Sequence, residues 1–589
     1  MERSIVDLQQ AMASGATTSR ELTSAFLARI DAYDKHGPAL NAFIALNARA
    51  LDDAEALDRE RRDKGPRGPL HGIPIVIKDN YETVDMPTTG GSMALAGFST
   101  GRDAFLVKKL RDAGVVILGK TNLHELAAGI ITISSLGGQT KNPYDLARTP
   151  GGSSGGTAAA VAANLAVSGM ASDTCGSIRI PAANNNLFGL RGTLGLTSRS
   201  GIIPLSHTQD IGGPLARTVT DLAMMLDAVV GPDPADPVTQ ASVGHLPATY
   251  REALQAGALT GARIGVLRNY MGTTPEDEEV TGIVTKALDA MKAAGAELVD
   301  VTVAGLDEAV NGSSLINYEF KTDLAAYLAQ FPNAPVKSLQ DILDRGAFHA
   351  LLEATFKARN AAKVDDDALR RIQARRAASL ALVTTTMAEH RIDVLAYPTL
   401  RRRPVVVEEP QRGGTCQLSA GTGLPAMAMP AGFTTDGVPI GVELLGPAWS
   451  ESRLLSFAYA YEQAVHPRRP PPTTPPLVRG KIPEPVAWTI PLTPLDARAS
   501  ARYDPASGRL SFDLPTGVDV LDAALHRGEP GMDGPVIARL FDPAAPSRTA
   551  SVELPPYLRT ALLDGLLRLS VRTRATRAVA PLQVPTVTR

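Results

Sequence analysis

The stretch Gly151-Gly152-Ser153-Ser154-Gly155-Gly156 places two hydroxyl groups between two pairs of glycines. Glycine gives up conformational order and offers no side chain for packing. A segment this rich in glycine therefore indicates an unusual backbone shape or a close approach to other segments. Its two serines are candidate nucleophiles, and the surrounding sequence must show whether either of them reacts.

Apolar runs and amphipathic segments alternate on both sides of GGSSGG. GIPIVIKD and GVVILGKT are predicted to be buried strands, and DAFLVKKLRDAG between them is predicted to be a helix that ends at Gly114. ARIGVLRN and IDVLAYPT are two further strand candidates, whereas the first fifty residues are predicted to be helical. This alternation predicts an α/β fold.

The composition changes at Pro467, where the sequence PRRPPPTTPPL begins. Such a proline-rich segment cannot be a helix or a central strand and is typical of an extended linker. Beyond it, alternating apolar and polar residues with Pro and Gly turns predict a small β domain. The predicted organisation is a catalytic domain over 1–466, a linker over 467–485 and a β-rich domain over 486–589.

Charge and hydropathy exclude several classes of function. The 589 residues include 59 basic and 61 acidic side chains, which does not favour a nucleic-acid partner. MERSIVDLQQAMASG lacks the apolar segment of a secretory signal, and no apolar run reaches the length of about 18 residues that a membrane span needs. We therefore expect no membrane partner and a cytoplasmic location.

The chain contains only two cysteines, Cys175 and Cys416. Two are too few for a disulfide framework, which favours free thiols, although the sequence leaves a bridge between them open.

Two familiar motifs are matched in form only. Residues 114–121 fit G-x-x-x-x-G-K-T, but Val-Val-Ile-Leu predicts a strand where a phosphate-binding loop is needed. GGSSGG fits G-x-S-x-G with Ser154 as nucleophile, yet turn residues precede it where that motif needs a strand. A serine–histidine–acid triad would also need a histidine. His207 is the best candidate, but its surrounding sequence does not resemble that of a catalytic histidine. No pair of histidines has metal-binding spacing, so no metal site is predicted.

Lys78 ends the apolar strand candidate GIPIVIKD. Burial disfavours the charged form of a lysine and lowers its pKa toward neutrality. A neutral lysine can take a proton from a hydroxyl group, so Lys78 is a candidate general base.

Three stretches, GIPIVIKDN, GGSSGG and DTCGSIRIPA, together resemble the amidase signature family of serine hydrolases. Lys78 precedes Ser153 by 75 residues, and Ser153 precedes Ser177 by 24. The resemblance covers about residues 1–470 and is strongest to bacterial peptide amidases; it includes GKTNLHEL, GGQTKNPYD, FGLRGTLGLTSRSGIIP and GLPAMAMPAGF. It implies the amidase-signature fold, a central mixed β-sheet surrounded by helices.

The same resemblance assigns roles to residues. It implies that Ser177 is the nucleophile and that Lys78 is the base. Ser153, which a cis peptide bond holds in place in the family, would relay the proton between them. Ser154 would support the loop and can hydrogen-bond to Lys78. The resemblance further implies that an acyl-enzyme forms without metal or cofactor, and that the oxyanion of the tetrahedral intermediate is bound by the backbone N–H groups of Thr174, Cys175, Gly176 and Ser177.

Cys175 departs from the family pattern, which usually has glycine at this position. A catalytic thiol is the alternative, but no base is assigned to it. Arg179 could bind a substrate carboxylate, although its place in Ser-Ile-Arg-Ile-Pro favours a structural role. Asp173 is expected to shape the loop and not to titrate in catalysis.

One stretch in the C-terminal region, from Leu525-His526-Arg527-Gly528 through Gly531-Met532-Asp533-Gly534-Pro535-Val536, is similar to the core of CHRD domains. This resemblance implies a small β-sandwich for that region.

The predicted function is hydrolysis of the carbon–nitrogen bond of a small or peptide-derived amide, in a chain that could form homo-oligomers. Hydrolysis of aryl amides or carbamates is the alternative within the family. A glutaminase subunit of an amidotransferase and an inactive binding scaffold are less favoured, because the three candidate catalytic residues are intact and an extra domain follows them.

Overall fold

The computed structural model describes residues 2–585, except 364, 530, 531, 533, 543 and 545. The chain divides into two compact units. The first contains the described residues of Met1–Ile30, Leu40–Asn142 and Leu146–Pro470, and the second those of Asp31–Ala39, Pro143–Asp145 and Pro471–Arg589. The second unit thus begins at Pro471, inside the predicted linker, and includes two short segments from earlier in the chain.

The first unit is built on an 11-stranded mixed sheet with the order β1-β3-β2-β6-β8-β7-β12-β13-β11-β9-β10. Its strands and a separate two-stranded ribbon are β1 (Phe43–Leu46), β2 (Pro74–Lys78), β3 (Val116–Thr121), β4 (Ile133–Ser134), β5 (Gly138–Gln139), β6 (Ser168–Asp173), β7 (Phe188–Arg191), β8 (Ile211–Ala216), β9 (Arg263–Leu267), β10 (Glu297–Val301), β11 (Val394–Pro398), β12 (Ala426–Phe433) and β13 (Pro439–Leu445). The predicted α/β class with a mixed sheet is confirmed.

Helices surround this sheet. They are α1 (Ile5–Ala13), α2 (Ser19–Ile30), α3 (Ala50–Lys64), α4 (Phe105–Asp112), α5 (Gly155–Ala162), α6 (Arg179–Asn184), α7 (Val219–Val229), α8 (Glu278–Ala293), α9 (Leu306–Val310), α10 (Ile316–Ala329), α11 (Leu339–Arg345), α12 (Glu353–Ala361), α13 (Asp366–Glu389), α14 (Gln417–Thr422) and α15 (Glu451–Val465). None of the helices in the described part of the chain is both long and apolar enough to cross a membrane.

The N-terminal region differs from its prediction, because it is not entirely helical. Phe43–Leu46 forms the edge strand β1, which pairs antiparallel with β3. Four residues are too few for periodicity to reveal, and pairing with β3 decides their conformation. GVVILGKT is a strand as predicted, and every residue of β3 is buried, which rules out a phosphate-binding loop.

Two neighbouring parallel strands bring the main candidate residues together. β2 pairs parallel with β6 in a register that places Ile77 beside Met170. Lys78 is the last residue of β2, and Asp173 is the last residue of β6. The carboxyl ends of parallel strands lie at one edge of the sheet, so Lys78 and the loop after Asp173 share that edge.

The second unit contains two four-stranded antiparallel sheets, ordered β14-β15-β16-β19 and β18-β17-β20-β21. Its elements are β14 (Val486–Leu492), β15 (Ala497–Asp504), β16 (Arg509–Asp513), β17 (Val520–Arg527), β18 (Val536–Phe541), β19 (Thr549–Glu553), α16 (Pro556–Leu563), β20 (Leu567–Thr573) and β21 (Arg577–Pro581). Both sheets contribute to one hydrophobic core. Within the CHRD-like stretch, Gly531 and Asp533 lie outside the described residues.

The second unit includes the segments around Tyr33 and Pro143. A truncation that removes only the C-terminal sheets must therefore keep the residues after Pro470 that contact these segments. Tyr33 donates a hydrogen bond to the Pro475 carbonyl at 2.7 Å, and Thr473 donates one to the Pro143 carbonyl at 2.6 Å. The sandwich core draws on residues between Ile490 and Leu582, so a fragment ending at residue 485 keeps both bonds and loses only the sandwich.

We expect residues 1–485 to fold and to retain amide hydrolysis, because the candidate catalytic residues and their partners all lie in the first unit. A fragment of residues 1–470 is the matched comparison and should melt at a lower temperature, since Tyr33 and Pro143 lose their partners. Melting temperature and specific activity of both fragments and the full chain check this. An insoluble or inactive 1–485 fragment would show that the sandwich is required by the catalytic domain.

Candidate active site

Lys78 is fully buried at the end of β2. Its Nζ donates hydrogen bonds to Ser153 Oγ at 2.7 Å and to Ser172 Oγ at 2.9 Å, and lies 3.4 Å from the Ser172 carbonyl oxygen. The sequence pointed to Ser153 but not to Ser172, the second residue that holds the amine. Ser172 directly precedes Asp173 in the predicted motif region, and its position on β6 could have suggested that it faces Lys78.

Burial lowers the pKa of Lys78 from the ordinary 10.5 to about 7, while the carboxylates of Asp173 and Asp210 act in the opposite direction. Burial dominates because it removes the water that stabilises an ammonium group. A substantial fraction of Lys78 is therefore neutral near pH 7, which a base for hydroxyl groups requires.

The GGSSGG segment leads into α5 and is buried throughout. The peptide bond between Gly152 and Ser153 is cis. A side chain at Gly156 would collide with the carbonyl oxygens of Asn122 and Ala42, the latter 2.6 Å from an added Cβ, so the chain approaches other segments closely here. Ser154 was expected to be able to bond to Lys78; instead its Oγ donates to the Ser172 carbonyl at 3.2 Å, where it supports the lysine's partner.

Ser177 lies in the loop Thr174–Ser177, here called the 174–177 loop, which connects β6 with the residues before α6. The side chain is nearly buried, with 4% of the residue exposed. Within the described part of the chain, the Ser177 hydroxyl makes no hydrogen bond, whereas Ser153 is held by Lys78. The structure thus forms the lysine–serine half of the predicted relay and leaves the Ser153–Ser177 contact unmade.

The predicted oxyanion donors are not equivalent. The Gly176 N–H donates to Asp173 Oδ1 at 2.6 Å, so this amide could bind an oxyanion only if that bond were released. Among the described residues, none accepts a hydrogen bond from the N–H groups of Cys175 and Ser177. These two amides are available to a developing oxyanion. Gly176 has φ of 103°, which favours glycine.

Asp173 and Arg179 form the centre of a buried charge network. Asp173 binds Arg179 and Arg191, and Arg179 also binds Glu443; all four side chains are fully buried. Burial acts to raise the pKa of Asp173, but Arg179 and Arg191 outweigh it and hold the pKa well below its usual range. The guanidinium of Arg179 is occupied by carboxylates of the protein itself. This geometry supports a structural role for Arg179 and not the binding of a substrate carboxylate.

Cys175 and Cys416 form a disulfide, so the expectation of free thiols is wrong. Their Cα atoms lie 5.2 Å apart although 241 residues separate them in sequence. The sequence could not reveal this, because only the fold brings the loop before α14 beside the 174–177 loop. Disulfides persist mainly in oxidising compartments, so the bridge does not favour the predicted cytoplasmic location. It also removes the catalytic-thiol alternative, since neither sulfur is a free thiolate.

Asp210 and Gln209 are further residues that sequence patterns did not identify. Thr174 Oγ1 donates to Asp210 Oδ1 at 2.5 Å, and Gln209 Nε2 donates to the Thr174 carbonyl at 3.1 Å. Both lie just before β8, the strand that pairs with β6. They fix the start of the 174–177 loop. They lie in the stretch SHTQDIGGPLARTVTDLA, which belongs to the family resemblance, but the sequence did not assign this role to them.

His207, the histidine considered for a triad, pairs with carboxylates instead. Its Nδ1 lies 3.0 Å from Asp323 Oδ1, and its Nε2 lies 3.5 Å from Glu319 Oε1. The hydrogen bond to Asp323 raises the pKa of His207. The fold thus brings His207, Glu319 and Asp323 together, with potential metal-ligand atoms within 4.8 Å of one another. The search of the sequence for histidine pairs could not find this group, because His207 lies far from the two carboxylates in the chain. Because each ring nitrogen already faces a carboxylate, an ion pair accounts for the cluster.

Comparison with known proteins agrees with this geometry. The family model described as Amidase matches residues 21–455. The chain is 34% identical over 487 residues to a probable amidase of Arabidopsis thaliana, covering 80% of this chain and 91% of that protein. It is 35% identical over 486 residues to a glutamyl-tRNA(Gln) amidotransferase subunit of Halorhodospira halophila, covering 78% of this chain and 97% of that protein.

Among solved structures, the native peptide amidase of Stenotrophomonas maltophilia is similar, with 39% sequence identity and a TM-score of 0.74. The similarity covers 80% of this chain and 98% of the peptide amidase. The family match, the mixed sheet and the buried lysine–serine pair agree: the chain belongs to the amidase family of amidase-signature hydrolases.

Proposed function

We propose that this protein hydrolyses the carbon–nitrogen bond of a small or peptide-derived amide, with Ser177 as nucleophile, Ser153 as proton relay and Lys78 as base. The observation that carries the proposal is the contact between the buried Lys78 amine and Ser153 Oγ at 2.7 Å. A C-terminal carboxamide of a peptide is the favoured substrate class, supported by the similarity to the peptide amidase.

The hydrogen-bond geometry is compatible with a neutral amine. A neutral lysine has two N–H donors and one lone pair. Ser172 offers two acceptors, its Oγ and its carbonyl oxygen, for the two N–H groups of the neutral amine. On deprotonation the bond to Ser153 therefore reverses: the Ser153 hydroxyl donates to the lone pair, whereas the charged amine donates to Ser153 Oγ. Asn80 also donates to Ser172 Oγ at 2.9 Å, which fixes that hydroxyl as an acceptor.

The proposed reaction proceeds in two steps. Lys78 takes a proton from Ser153 as Ser153 takes one from Ser177, and Ser177 Oγ attacks the amide carbonyl. The Cys175 and Ser177 amides bind the oxyanion, a contribution of roughly 2.7–4 kcal/mol for each donor. The proton returns through Ser153 to the leaving nitrogen, and water then hydrolyses the acyl-enzyme.

Covalent labelling tests this assignment. A fluorophosphonate probe should modify Ser177, identified by peptide mass spectrometry, and Ser177→Ala should lose the label. Rates on peptide carboxamides, anilides, carbamates, esters and glutamine then rank the substrate classes. Absence of labelling together with absence of hydrolysis across the panel would favour the inactive scaffold.

A glutaminase function is the second candidate, supported by similarity to the amidotransferase subunit. Hydrolysis of free glutamine in preference to peptide carboxamides would favour it. The family match ends at residue 455, so the β-sandwich lies outside the matched region.

The rate should depend on the titration of Lys78. The pKa of Lys78 is lowered to about 7 by burial, and only the neutral form can act as base. We therefore expect kcat/KM to rise about tenfold per pH unit below that value and to level off above it. Asp173 and Asp210 are the charged groups that face Lys78, and Ser154→Ala, which alters neither, should leave the profile unchanged. A flat or falling profile across this range would exclude Lys78 as base.

A further inference from the structure

The Cys175–Cys416 disulfide connects the 174–177 loop to the segment that precedes α14. The two neighbours of Cys175 are held by other contacts. Asp210 and Gln209 hold Thr174, and Asp173 holds the Gly176 N–H. Cys175 lies between them, and among the described residues no hydrogen bond fixes its backbone N–H. The bridge is therefore the covalent restraint on the residue whose amide is proposed to bind the oxyanion.

The far end of the bridge is itself anchored. Arg179 Nη2 donates to the Cys416 carbonyl at 3.2 Å, and Thr415 Oγ1 donates to the Thr399 carbonyl at 2.8 Å. Gly176 packs directly against Cys416, because a Cβ added to the glycine would lie 2.6 Å from the Cys416 Cβ. The disulfide thus holds the 174–177 loop against a fixed surface.

Cys175 and Cys416 are each partly exposed as residues, an exposure that is compatible with attack by a thiol reductant. Cys175 Sγ lies 3.1 Å from Gln417 Oε1, and Gln417 Nε2 donates to Ser313 Oγ at 3.0 Å. A disulfide sulfur has no proton to donate, but a Cys175 thiol would find in Gln417 an oriented acceptor. The structure therefore contains a partner for the reduced form of the same residue.

We propose that the active site is regulated by reversible reduction of the Cys175–Cys416 bridge, here called the redox latch. This proposal rests on the proposed function. One thiolate of a dithiol reductant attacks one sulfur of the bridge, which breaks the S–S bond, releases the other cysteine and leaves a mixed disulfide. The second thiolate of the reductant then attacks the reductant sulfur of that mixed disulfide and releases the remaining cysteine of the enzyme. Two electrons and two protons pass to the enzyme as two thiols, and the reductant leaves as its own disulfide. The 174–177 loop then loses its restraint, and amide hydrolysis slows.

Cys175 and Cys416 are positioning residues in this scheme, because they act through the Cys175 amide. Removal of a single oxyanion donor lowers kcat about 10²- to 10³-fold in a well-studied serine hydrolase, so loosening one donor should have a smaller effect. We expect reduction to lower kcat by about tenfold or more while KM changes by less than about threefold, since the loop acts on the transition state.

The test compares the oxidised, reduced and reoxidised full-length protein. Dithiothreitol should release two titratable thiols per chain and lower kcat, and oxidised glutathione should restore it. Near-UV circular dichroism and the melting temperature show whether the fold persists during reduction. The Cys175→Ser/Cys416→Ser variant is the matched control and should have a low kcat that dithiothreitol does not change.

A reduced enzyme with two titrated thiols and a kcat within about twofold of the oxidised enzyme would overturn the latch while leaving the proposed function intact. Loss of the near-UV spectrum together with activity would also overturn it, because unfolding would then explain the effect. If the oxidised enzyme neither hydrolyses amides nor labels at Ser177, the proposed function fails and the latch fails with it.

Discussion

Replacing Ser177 by alanine should abolish measurable amide hydrolysis, with kcat falling about 10⁴- to 10⁶-fold. Alanine removes the oxygen that is proposed to form the acyl-enzyme, and no neighbouring group can replace it. Because Ser177 makes no hydrogen bond within the described part of the chain, its loss leaves no partner unsatisfied. The melting temperature should therefore stay close to that of the natural protein.

The two serines of GGSSGG provide graded controls. Ser153→Ala interrupts the relay to Lys78 and should lower kcat about 10²- to 10⁴-fold, less than Ser177→Ala because water can enter the vacated position. Ser154→Ala removes one hydrogen bond to Ser172 and should change kcat by less than about tenfold. Steady-state kinetics on one peptide carboxamide compares all three. Activity that survives Ser177→Ala but disappears with Ser154→Ala would instead support the G-x-S-x-G interpretation.

Replacing Lys78 by methionine should reduce catalysis about as strongly as Ser177→Ala does. Unlike Ser177→Ala, it should also raise the stability of the folded chain at pH 7. Removing the proposed base should lower kcat about 10⁴-fold, because lysine and the two serines act as a unit. Methionine has a similar length and fills the buried position without a charge.

The stability change follows from proton linkage. With a pKa of about 7 in the folded chain against 10.5 for an ordinary lysine, the unfolded chain binds a proton that the folded chain lacks between these values. The natural protein therefore gains stability as pH rises through this window and loses it as pH falls. The linkage term is on the order of 4 kcal/mol at pH 7, and the loss of the three hydrogen bonds of the amine offsets about 3 kcal/mol of it.

Lys78→Met should therefore be more stable than the natural protein at pH 7 by about 1 kcal/mol, and the advantage should reverse at pH 10. Urea unfolding at both pH values measures the difference. Ser154→Ala is the matched control, because it changes the same pocket without removing a titratable group. A stability difference that does not depend on pH would mean that Lys78 keeps its charge in the folded chain.

Local sequence predicted which segments contain the candidate catalytic residues. The apolar run before Lys78 predicted a buried strand end, and that prediction placed a lysine where burial lowers its pKa. The glycines of GGSSGG predicted close backbone approach, which the contact of Gly156 with Ala42 confirms. Alternating apolar residues beyond the linker predicted a β-rich region, which forms two antiparallel sheets. These features are local, so periodicity and residue type are sufficient to predict them.

Tertiary structure decided the features that depend on residues far apart in the chain. Cys175 and Cys416 are separated by 241 residues, and nothing in their local sequence distinguishes a free thiol from a bridge. Ser172 holds Lys78, and Asp210 holds Thr174, only because β2, β6 and β8 are neighbours in the sheet. The Gly176 amide is engaged by Asp173 because the loop folds back on the end of its own strand. Sequence alone thus determined the candidate reactive groups and the strands that carry them. The packing of those strands determined which of these groups are hydrogen-bonded or bridged, because hydrogen bonds and disulfides depend on distances between side chains that only the fold sets.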